Sequence, residues 1–217
     1  MVEAVARIKY FSAMSRFVPV ATDLALKGWA ICPDFLPPDT VAALFDAAQH
    51  LWAAHAFRRA GVGRATGYAI QTEVRGDFIC WLDEHAPHPA LKDYWREIEQ
   101  LRLTLNRELF LSLVSYEAHF AVYPPGAAYR CHLDRFTTAD ERMISCALYL
   151  NQAWRPEDQG QLRLHIPGTP VDILPCAGTL AALRSDMIMH EVLPAKRPRY
   201  SLTGWFKRRS SQPFRTA

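Results

Sequence analysis

The 217-residue chain lacks the features that would place it in a membrane or in a secreted disulfide scaffold. No stretch approaches the roughly 18 uninterrupted apolar residues of a transmembrane helix, so the sequence predicts none. The opening segment MVEAVARIKYFSAMSRFVPV carries charges throughout, and we expect no secretory signal. The five cysteines are odd in number, widely spaced and without a CxxC pair, which favours reduced thiols in a cytoplasmic protein.

The sequence also lacks internal repeats, low-complexity linkers and a strong excess of either charge, the net charge being +3. Basic residues concentrate at the C-terminus in KRRSSQPFR, where we expect a solvated tail and no nucleic-acid site. The length suits one sizeable core. We therefore predict an N-terminal extension over residues 1–27, one domain over 28–208 and a basic tail over 209–217.

Helical periodicity dominates the sequence before residue 118. PPDTVAALFDAAQHLWAAHAF has an apolar stripe at helical spacing and opens on two prolines and an Asp/Thr cap. PALKDYWREIEQLRLTLNRELFLSL repeats the stripe, and EVRGDFICWLDE between the two segments indicates a strand. The sequence thus predicts two helices ahead of the remaining elements.

Beyond residue 118, short apolar runs alternate with Gly, Pro or charged turns. Strands at this spacing are typical of a β-sandwich or barrel. We predict an α+β fold with a double-sheet core, in which the N-terminal helices pack on one sheet. The eight predicted strands are HFAVYP, YRCHLD, ISCALYLN, QLRLHIP, VDILP, TLAALRS, MHEVLP and RYSLTGWFKR.

The run YRCHLDRF places two metal-binding residue types on one face of a predicted strand. His132 and Asp134 lie two residues apart, and residues at that spacing point the same way in a strand. His190 lies in another predicted strand, MHEVLP. Two histidines and one carboxylate form the facial triad of non-haem iron(II) oxygenases. A surface HxD pair and an unrelated core histidine would give the same pattern, so a second signal is needed.

Arg199 supplies that signal. In RYSLTGWF, strand alternation puts Arg199, Ser201, Thr203 and Trp205 on one face. A buried guanidinium needs an anion, and its fork suits a carboxylate. An oxo acid that chelates iron at one end and meets Arg199 at the other would explain both halves of the pattern.

Several motifs between residues 28 and 208 resemble the 2-oxoglutarate (2OG) and Fe(II) dependent prolyl hydroxylases, in particular the oxygen-sensing branch and its bacterial relatives. They are RGDFICWL, YPPGAAYRCHLD, ALYLNQAW, GQLRLHIP and HEVLPAKRPRYSLTGWF. The resemblance implies a double-stranded β-helix, or jelly-roll. It also implies a peptidyl-proline dioxygenase that uses Fe(II), 2OG and O2, with ascorbate as a further candidate ligand.

The same resemblance implies roles for individual residues at the metal and co-substrate. Iron would be bound by His132, Asp134 and His190, which would also be the catalytic residues. The distal carboxylate of 2OG would be held by Arg199 and the hydroxyl of Tyr149. The co-substrate pocket would also be lined by Tyr123 and Thr203.

On the substrate side, the resemblance implies contacts from Tyr129 and Trp205. It also implies that Asp77 pairs with Arg142 and ties a substrate loop to the barrel. Arg135 and Phe136 follow the HxD pair where the family often has an Asn-containing turn, and this departure bears on the substrate rather than on the metal chemistry. The segment 60–77, rich in glycine, is predicted to be a lid over the metal.

The predicted substrate is a prolyl residue in an exposed loop of a partner protein, hydroxylated at C4. By resemblance, the leading partner is a translation factor with a mobile switch loop. Three alternatives stay open: a hydroxylase of a free amino acid or other small molecule, a zinc hydrolase using the same three ligands, and a non-catalytic jelly-roll binding protein. No functional role is assigned to the other histidines, His50, His55, His85, His88, His119 and His165.

Overall fold

The computed structural model describes residues 15–61, 71, 73–83, 89–135 and 141–209. Within them, no helix is both long enough and apolar enough to cross a membrane. Short 3₁₀ turns precede the last helix at Pro89–Leu91 and connect two strands at Pro156–Asp158. The elements in chain order are α1 (Val18–Lys27), β1 (Trp29–Cys32), α2 (Pro38–Ala53), β2 (Arg58–Arg59), β3 (Phe78–Trp81), α3 (Lys92–Leu109), β4 (Leu113–Tyr123), β5 (Tyr129–His132), β6 (Arg142–Tyr149), β7 (Leu162–His165), β8 (Val171–Ile173), β9 (Leu180–Arg184), β10 (Met189–Val192) and β11 (Arg199–Arg208).

The strands form two antiparallel sheets. The major sheet has the order β1-β9-β6-β11-β4-β3-β2, and the minor sheet has the order β5-β10-β7-β8. The eight strands predicted beyond residue 118 are all present, as β4 to β11. The predicted jelly-roll core with few helices is therefore confirmed.

Strand alternation in the major sheet separates a helix-facing side from a cavity-facing side. On β11, Leu202 and Phe206 are fully buried in the core that the helices cover. The odd-numbered residues Arg199, Ser201, Thr203 and Trp205 line a cavity on the opposite face. The prediction that these alternate residues share one face is confirmed, because a strand has a period of two.

The helices cover the outer face of the major sheet. Val41 and Leu44 of α2 and Ile98 of α3 join the same core as the sheet residues. The predicted Asp/Thr cap of α2 is wrong: the helix begins at Pro38 without a side-chain cap, and Asp39 lies in its first turn. Proline at the first helical position needs no such partner, because it has no backbone N–H.

Helix α1 lies inside the segment that the sequence assigned to an N-terminal extension. It buries Val20, Ala21 and Leu24 and ends at Gly28, whose φ of 80° suits glycine. It packs against α3 and β1. The predicted division of the chain at residues 27/28 and 208/209 stays a prediction.

Candidate active site

Neighbouring strands of the minor sheet bring the HxD motif and the distant histidine together. His132 on β5 pairs directly with His190 on β10. One ligand atom each from His132, Asp134 and His190 lies within 4.8 Å of the others. Within the described part of the chain, no other group of His, Cys, Asp or Glu meets the same criterion.

Backbone carbonyls fix which nitrogen of each histidine carries the proton. His132 Nδ1 lies 2.7 Å from the Arg130 carbonyl oxygen, and His190 Nδ1 lies 2.9 Å from that of Ile188. Since a carbonyl only accepts, each Nδ1 must donate, so that in the neutral imidazole Nε2 is a lone-pair acceptor. This hydrogen-bonding arrangement is the one that orients histidines bound to a metal.

The carboxylate of Asp134 faces both free nitrogens. Its Oδ1 lies 3.6 Å from His132 Nε2, and its Oδ2 lies 3.6 Å from His190 Nε2. These distances exceed a hydrogen bond. When both imidazoles are neutral, three acceptors therefore converge, which is the arrangement that a cation completes.

Burial and the two imidazoles act in opposite directions on the carboxylate. Although burial raises the pKa of Asp134, the positive charge that His190 and His132 carry when protonated holds it well below its ordinary value. Burial lowers the pKa of His190, despite the nearby Asp134. An ionised carboxylate beside a neutral imidazole is the state in which both bind metal.

A cavity that is open to solvent lies beside these three side chains, between the two sheets. Apolar residues such as Leu162, Leu183 and Val192 form part of its wall. The predicted site residues that line it are Asp77, Tyr123, Tyr129, His132, Asp134, His190, Arg199, Thr203 and Trp205.

At the far end of the cavity, Arg199 and the neighbouring Tyr149 are buried polar groups that an anion would complement. Arg199 is buried, and its Nε donates to the Gly160 carbonyl oxygen at 2.9 Å. Among the described residues, no carboxylate pairs with this guanidinium, which lies 5.0 Å from the Tyr149 ring centre and 5.2 Å from that of Tyr123. The Tyr149 hydroxyl is buried without a hydrogen-bond partner there. A carboxylate placed between Arg199 and Tyr149 would satisfy both groups.

The predicted pairing of Asp77 with Arg142 is wrong. Asp77 accepts from Arg75 at both oxygens, with Nε–Oδ1 at 2.7 Å and Nη2–Oδ2 at 2.9 Å. Arg142 donates instead to Glu117 Oε1 from Nε at 3.0 Å and from Nη2 at 2.9 Å. Asp77 lies only two residues from Arg75, and Glu117 lies on β4, on the other side of β11 from Arg142 on β6, so each guanidinium has a nearer carboxylate than the predicted one.

Arg75 extends the metal site into a stacked series of side chains. Its guanidinium lies 4.7 Å from the Tyr129 ring centre, and that ring stacks on His132 at 3.6 Å with an interplanar angle of 18°. Backbone hydrogen bonds from Gly76 to Ala128 and from Arg130 to Val74 hold the two segments together. Arg75 of the RGD motif thus packs on Tyr129, which in turn packs on the metal-ligand candidate His132.

The predicted substrate-side residues Arg142 and Trp205 lie in contact. The Arg142 guanidinium lies 3.6 Å from the Trp205 ring centre, and Glu117 also accepts from Lys207 Nζ at 3.1 Å. Trp205 lines the cavity, and its Nε1 is buried with no partner in the described part of the chain. Phe136 and most of the predicted lid, residues 62–70 and 72, lie outside the described residues.

Sequence reasoning missed three polar residues of the cavity, Arg75, His119 and Ser145. Arg75 could have been found, because the predicted strand EVRGDFICWLDE places it on the same face as Asp77, two residues away. His119 gave no signal, since a lone histidine in an apolar strand is indistinguishable from a core residue. Ser145, which hydrogen bonds to Ser185 at 2.8 Å, likewise has no motif.

Comparison with known proteins identifies the family. The profile of the 2OG-Fe(II) oxygenase superfamily matches residues 118–207. A prolyl-4-hydroxylase from Pseudomonas putida is 45% identical, with a TM-score of 0.80 over 88% of this chain and 98% of that one. The chain belongs to the 2OG-Fe(II) oxygenase superfamily, among its prolyl-hydroxylase-like members.

Two other relatives in the superfamily are animal prolyl hydroxylases. The Trichoplax adhaerens prolyl hydroxylase, solved with a peptide of the oxygen degradation domain of hypoxia-inducible factor, is 26% identical with a TM-score of 0.79 over 87% of each chain. The Caenorhabditis elegans hypoxia-inducible factor prolyl hydroxylase is 27% identical over 85% of this chain. The chain spans only 27% of that relative's length.

The 2OG-Fe(II) oxygenases use Fe(II), 2OG and O2, and the cavity fits the first two. The free Nε2 atoms of His132 and His190 with the Asp134 carboxylate suit a divalent cation. The buried Arg199 and the unpartnered Tyr149 hydroxyl suit the distal carboxylate of 2OG. Groups that complement both ends of the predicted co-substrate thus line the cavity, except Tyr149, which lies beside Arg199 behind the lining residues.

Proposed function

We propose that the chain is a 2OG- and Fe(II)-dependent dioxygenase that hydroxylates a prolyl residue at C4 in a loop of a partner protein. The observation that carries the proposal is the pairing of two sites in one cavity. Three convergent metal-type acceptors lie at one end, and a buried guanidinium without a carboxylate lies at the other. Membership of the superfamily supports the same reading.

The proposed metal ligands are His132, Asp134 and His190. Their neutral imidazoles and carboxylate would hold Fe(II) on one side and leave positions open for co-substrate and oxygen. When bound, Fe(II) and 2OG supply the oxidising chemistry: oxidative decarboxylation of 2OG to succinate and CO2 is coupled to hydroxylation of the substrate. The backbone carbonyls of Arg130 and Ile188 keep the two imidazoles oriented throughout.

The remaining residues would bind and orient 2OG and the substrate, and they would exclude water from the cavity. Arg199 and Tyr149 would donate to the distal carboxylate of 2OG, while Tyr123 and Thr203 line the pocket around it. Apolar wall residues keep the cavity dry, which strengthens each charge-assisted hydrogen bond. On the substrate side, Tyr129, Trp205, Arg142 and Asp77 would contact or support the bound loop.

A protein substrate is supported by the peptide complex of the Trichoplax relative. Proline is a suitable target, since it lacks a backbone N–H and often occupies exposed turns that a cleft can bind. A translation factor as the partner, ascorbate as a further ligand and a cytoplasmic location rest on family resemblance and sequence composition alone. A zinc hydrolase or a non-catalytic jelly-roll protein would leave unexplained why the buried Arg199 lines the same cavity as the three metal-ligand candidates.

The test is succinate release from 2OG with Fe(II) and a panel of proline-containing peptides, with mass spectrometry to locate the added oxygen atom. We expect peptide-stimulated succinate and one hydroxylated proline. Asp134→Ala should lose both and bind metal at least about 100-fold more weakly, because it removes a ligand outright. Asp172→Ala is the matched control, since that exposed carboxylate pairs with Arg163 on the minor sheet. Full turnover by Asp134→Ala would refute the metal assignment.

A further inference from the structure

His119 is a buried polar residue of the cavity that the proposed machinery does not use. It lies in the middle of β4, is 1% exposed and lines the cavity. Both ring nitrogens are buried without a hydrogen-bond partner among the described residues. Such groups are rare in native proteins, because each one forfeits its hydrogen bond to water. Two orphaned atoms on one cavity-lining ring indicate that a ligand supplies their partner.

The rings around His119 hold it in one orientation. Trp81 approaches edge-on with ring centres 4.8 Å apart, and Trp205 lies tilted at 5.4 Å. Neither indole hydrogen bonds to the imidazole. The side chain is therefore held in place by aromatic packing while its nitrogens stay available.

The charge state of His119 follows from its surroundings. Burial, together with the nearby guanidinium groups of Arg75 and Arg142, lowers its pKa well below the ordinary value, and Asp134 opposes this only in part. A neutral imidazole carries one N–H donor and one acceptor. The partner of the donor must be an acceptor, and a carboxylate offers the strongest one.

The strand register places His119 at a definite distance from the anion end of the cavity. The Arg199 guanidinium lies 5.0 Å from the ring of Tyr149, which pairs across the sheet with Ser201. Two residues further along β11 is Thr203, which pairs with His119. Two strand residues span about 7 Å. An extended five-carbon diacid separates its two carboxylate carbons by about 5 Å. If one carboxylate of 2OG is at the Ser201 level, the other reaches the level of Thr203 and His119.

We propose that His119 donates a hydrogen bond to the C1 carboxylate of 2OG, the carboxylate that chelates the metal. The inference rests on the proposed function. Arg199 and Tyr149 would hold the distal carboxylate, so that His119 makes the co-substrate bound at both ends. The C1 carboxylate has two oxygens, so one could accept this bond while the other faced the metal-ligand candidates. His119 would thereby select 2-oxo acids over shorter dicarboxylates.

Two other assignments fit the observations less well. His119 as a fourth metal ligand is disfavoured, because its ring nitrogens are not in the cluster that brings His132, Asp134 and His190 within 4.8 Å. The Trp205 indole N–H is also orphaned, but Trp205 pairs with Glu117, two residues beyond Thr203 and further from Arg199. His119 is the donor at the level that the metal-end carboxylate reaches.

The experiment measures ligand binding to the protein loaded with Mn(II) in place of Fe(II), so that 2OG is not consumed during the titration. Calorimetric titrations with 2OG and with succinate, which lacks the C1 carboxylate, are compared for the wild type, His119→Leu and His119→Gln. We expect His119→Leu to bind 2OG about tenfold or more weakly, the loss expected for a hydrogen bond to a charged group. Its succinate affinity should be unchanged, and the amide N–H of His119→Gln should restore most of the 2OG affinity.

Two controls separate the possible outcomes. His165→Leu removes an exposed histidine of the minor sheet, and it should leave both affinities unchanged. In the absence of ligand, His119→Leu should unfold at a temperature no lower than the wild type, because it removes the orphaned polar atoms. Unchanged 2OG affinity, or an equal loss for 2OG and succinate, would overturn the role of His119 while leaving the dioxygenase assignment intact. A wild-type protein that binds neither ligand would overturn the proposed function itself.

Discussion

At the scale of single residues, the chemistry of each side chain follows from which of its hydrogen-bonding groups are already used. His132 and His190 each commit Nδ1 to a backbone carbonyl, which leaves Nε2 free beside Asp134. The ring nitrogens of His119 and the hydroxyl of Tyr149 make no hydrogen bond to the described residues, so they are available to a ligand. Histidine is therefore proposed as a metal ligand in one place and as a hydrogen-bond donor to the co-substrate in another.

Replacement of Arg199 by lysine keeps the charge but loses the planar fork. We expect the affinity for 2OG to fall by roughly tenfold or more, about 1.4 kcal/mol, because a bidentate charge-assisted contact becomes a single one. Arg163→Lys is the matched control, as Arg163 makes a bidentate pair with Asp172 on the surface. Equal 2OG titration curves for Arg199→Lys and the wild type would place the co-substrate elsewhere.

Tyr149→Phe should change stability and binding in opposite directions. Burial raises the pKa of Tyr149 to about 12, so the hydroxyl is protonated at neutral pH and can donate to a carboxylate. Its removal eliminates an orphaned group, and the free energy of unfolding without ligand should rise by about 1 kcal/mol. The affinity for 2OG should fall by a few-fold, since one hydrogen bond is worth about 1 kcal/mol.

The control for Tyr149 is Tyr94→Phe, measured by urea denaturation and 2OG titration. Tyr94 is fully buried on the helix side of the sheet, and its hydroxyl lies 2.8 Å from that of Tyr116. Loss of that hydrogen bond should lower stability and leave 2OG affinity unchanged. A destabilised Tyr149→Phe with unaltered 2OG binding would show that the hydroxyl is structural.

At the scale of elements, β11 has two functions that depend on its exact packing against β4. Its odd-numbered residues from Arg199 to Trp205 line the cavity, and its even-numbered residues face the helices. Gly204 interrupts the helix-facing series because the Tyr116 side chain lies over it: a Cβ there would meet the Tyr116 ring and the Glu117 carbonyl oxygen at 2.5 Å. The glycine is a packing requirement of the strand that carries the anion site.

Gly204→Ala should therefore destabilise the fold by about 3 kcal/mol, the upper end of overpacking costs, because a backbone carbonyl cannot move aside cheaply. Urea denaturation monitored by fluorescence measures this. Gly126→Ala is the control: a Cβ at Gly126 meets nothing within 4 Å, but its φ of 79° imposes strain. That variant should cost less, about 1 kcal/mol. Equal unfolding midpoints for Gly204→Ala and the wild type would contradict the steric account.

The elements differ in how far their sequences reveal them. β4 to β11 were predictable, because alternation of period two and turn residues are local signals. Helix α1 was not predicted, since Val18–Lys27 is short, holds Pro19 near its start and depends on packing against α3 and β1. Local periodicity predicts an element when the element is long enough to repeat its pattern.

At the scale of the whole molecule, the site exists only because the two sheets face each other. The minor sheet supplies His132 and His190 from β5 and β10, whereas the major sheet supplies Arg199 and His119 from β11 and β4. The sequence motifs alone indicated His132, Asp134, His190 and Arg199, although they do not show that the two sheets face each other. The partner of Asp77 and the orphaned state of His119 could not be predicted, because both depend on which side chains the folded sheets bring together.

The lining of the cavity leads to the last prediction, on the kind of substrate. The cavity lies between the two sheets, and the residues proposed to hold the metal and 2OG, Tyr149 aside, already line it, so the space that remains suits a side chain rather than a folded segment. The rest of a bound chain would lie outside, near the half-exposed Trp81 and the contacting pair Arg142 and Trp205. We therefore expect a prolyl ring to enter the cavity while its loop contacts this rim. Protein captured by the Mn(II)- and 2OG-loaded enzyme is treated with active enzyme and mapped by peptide mass spectrometry. The expected result is one proline that gains an oxygen atom with wild type but not with Asp134→Ala. Oxidation confined to free proline or another small metabolite would favour the small-molecule alternative instead.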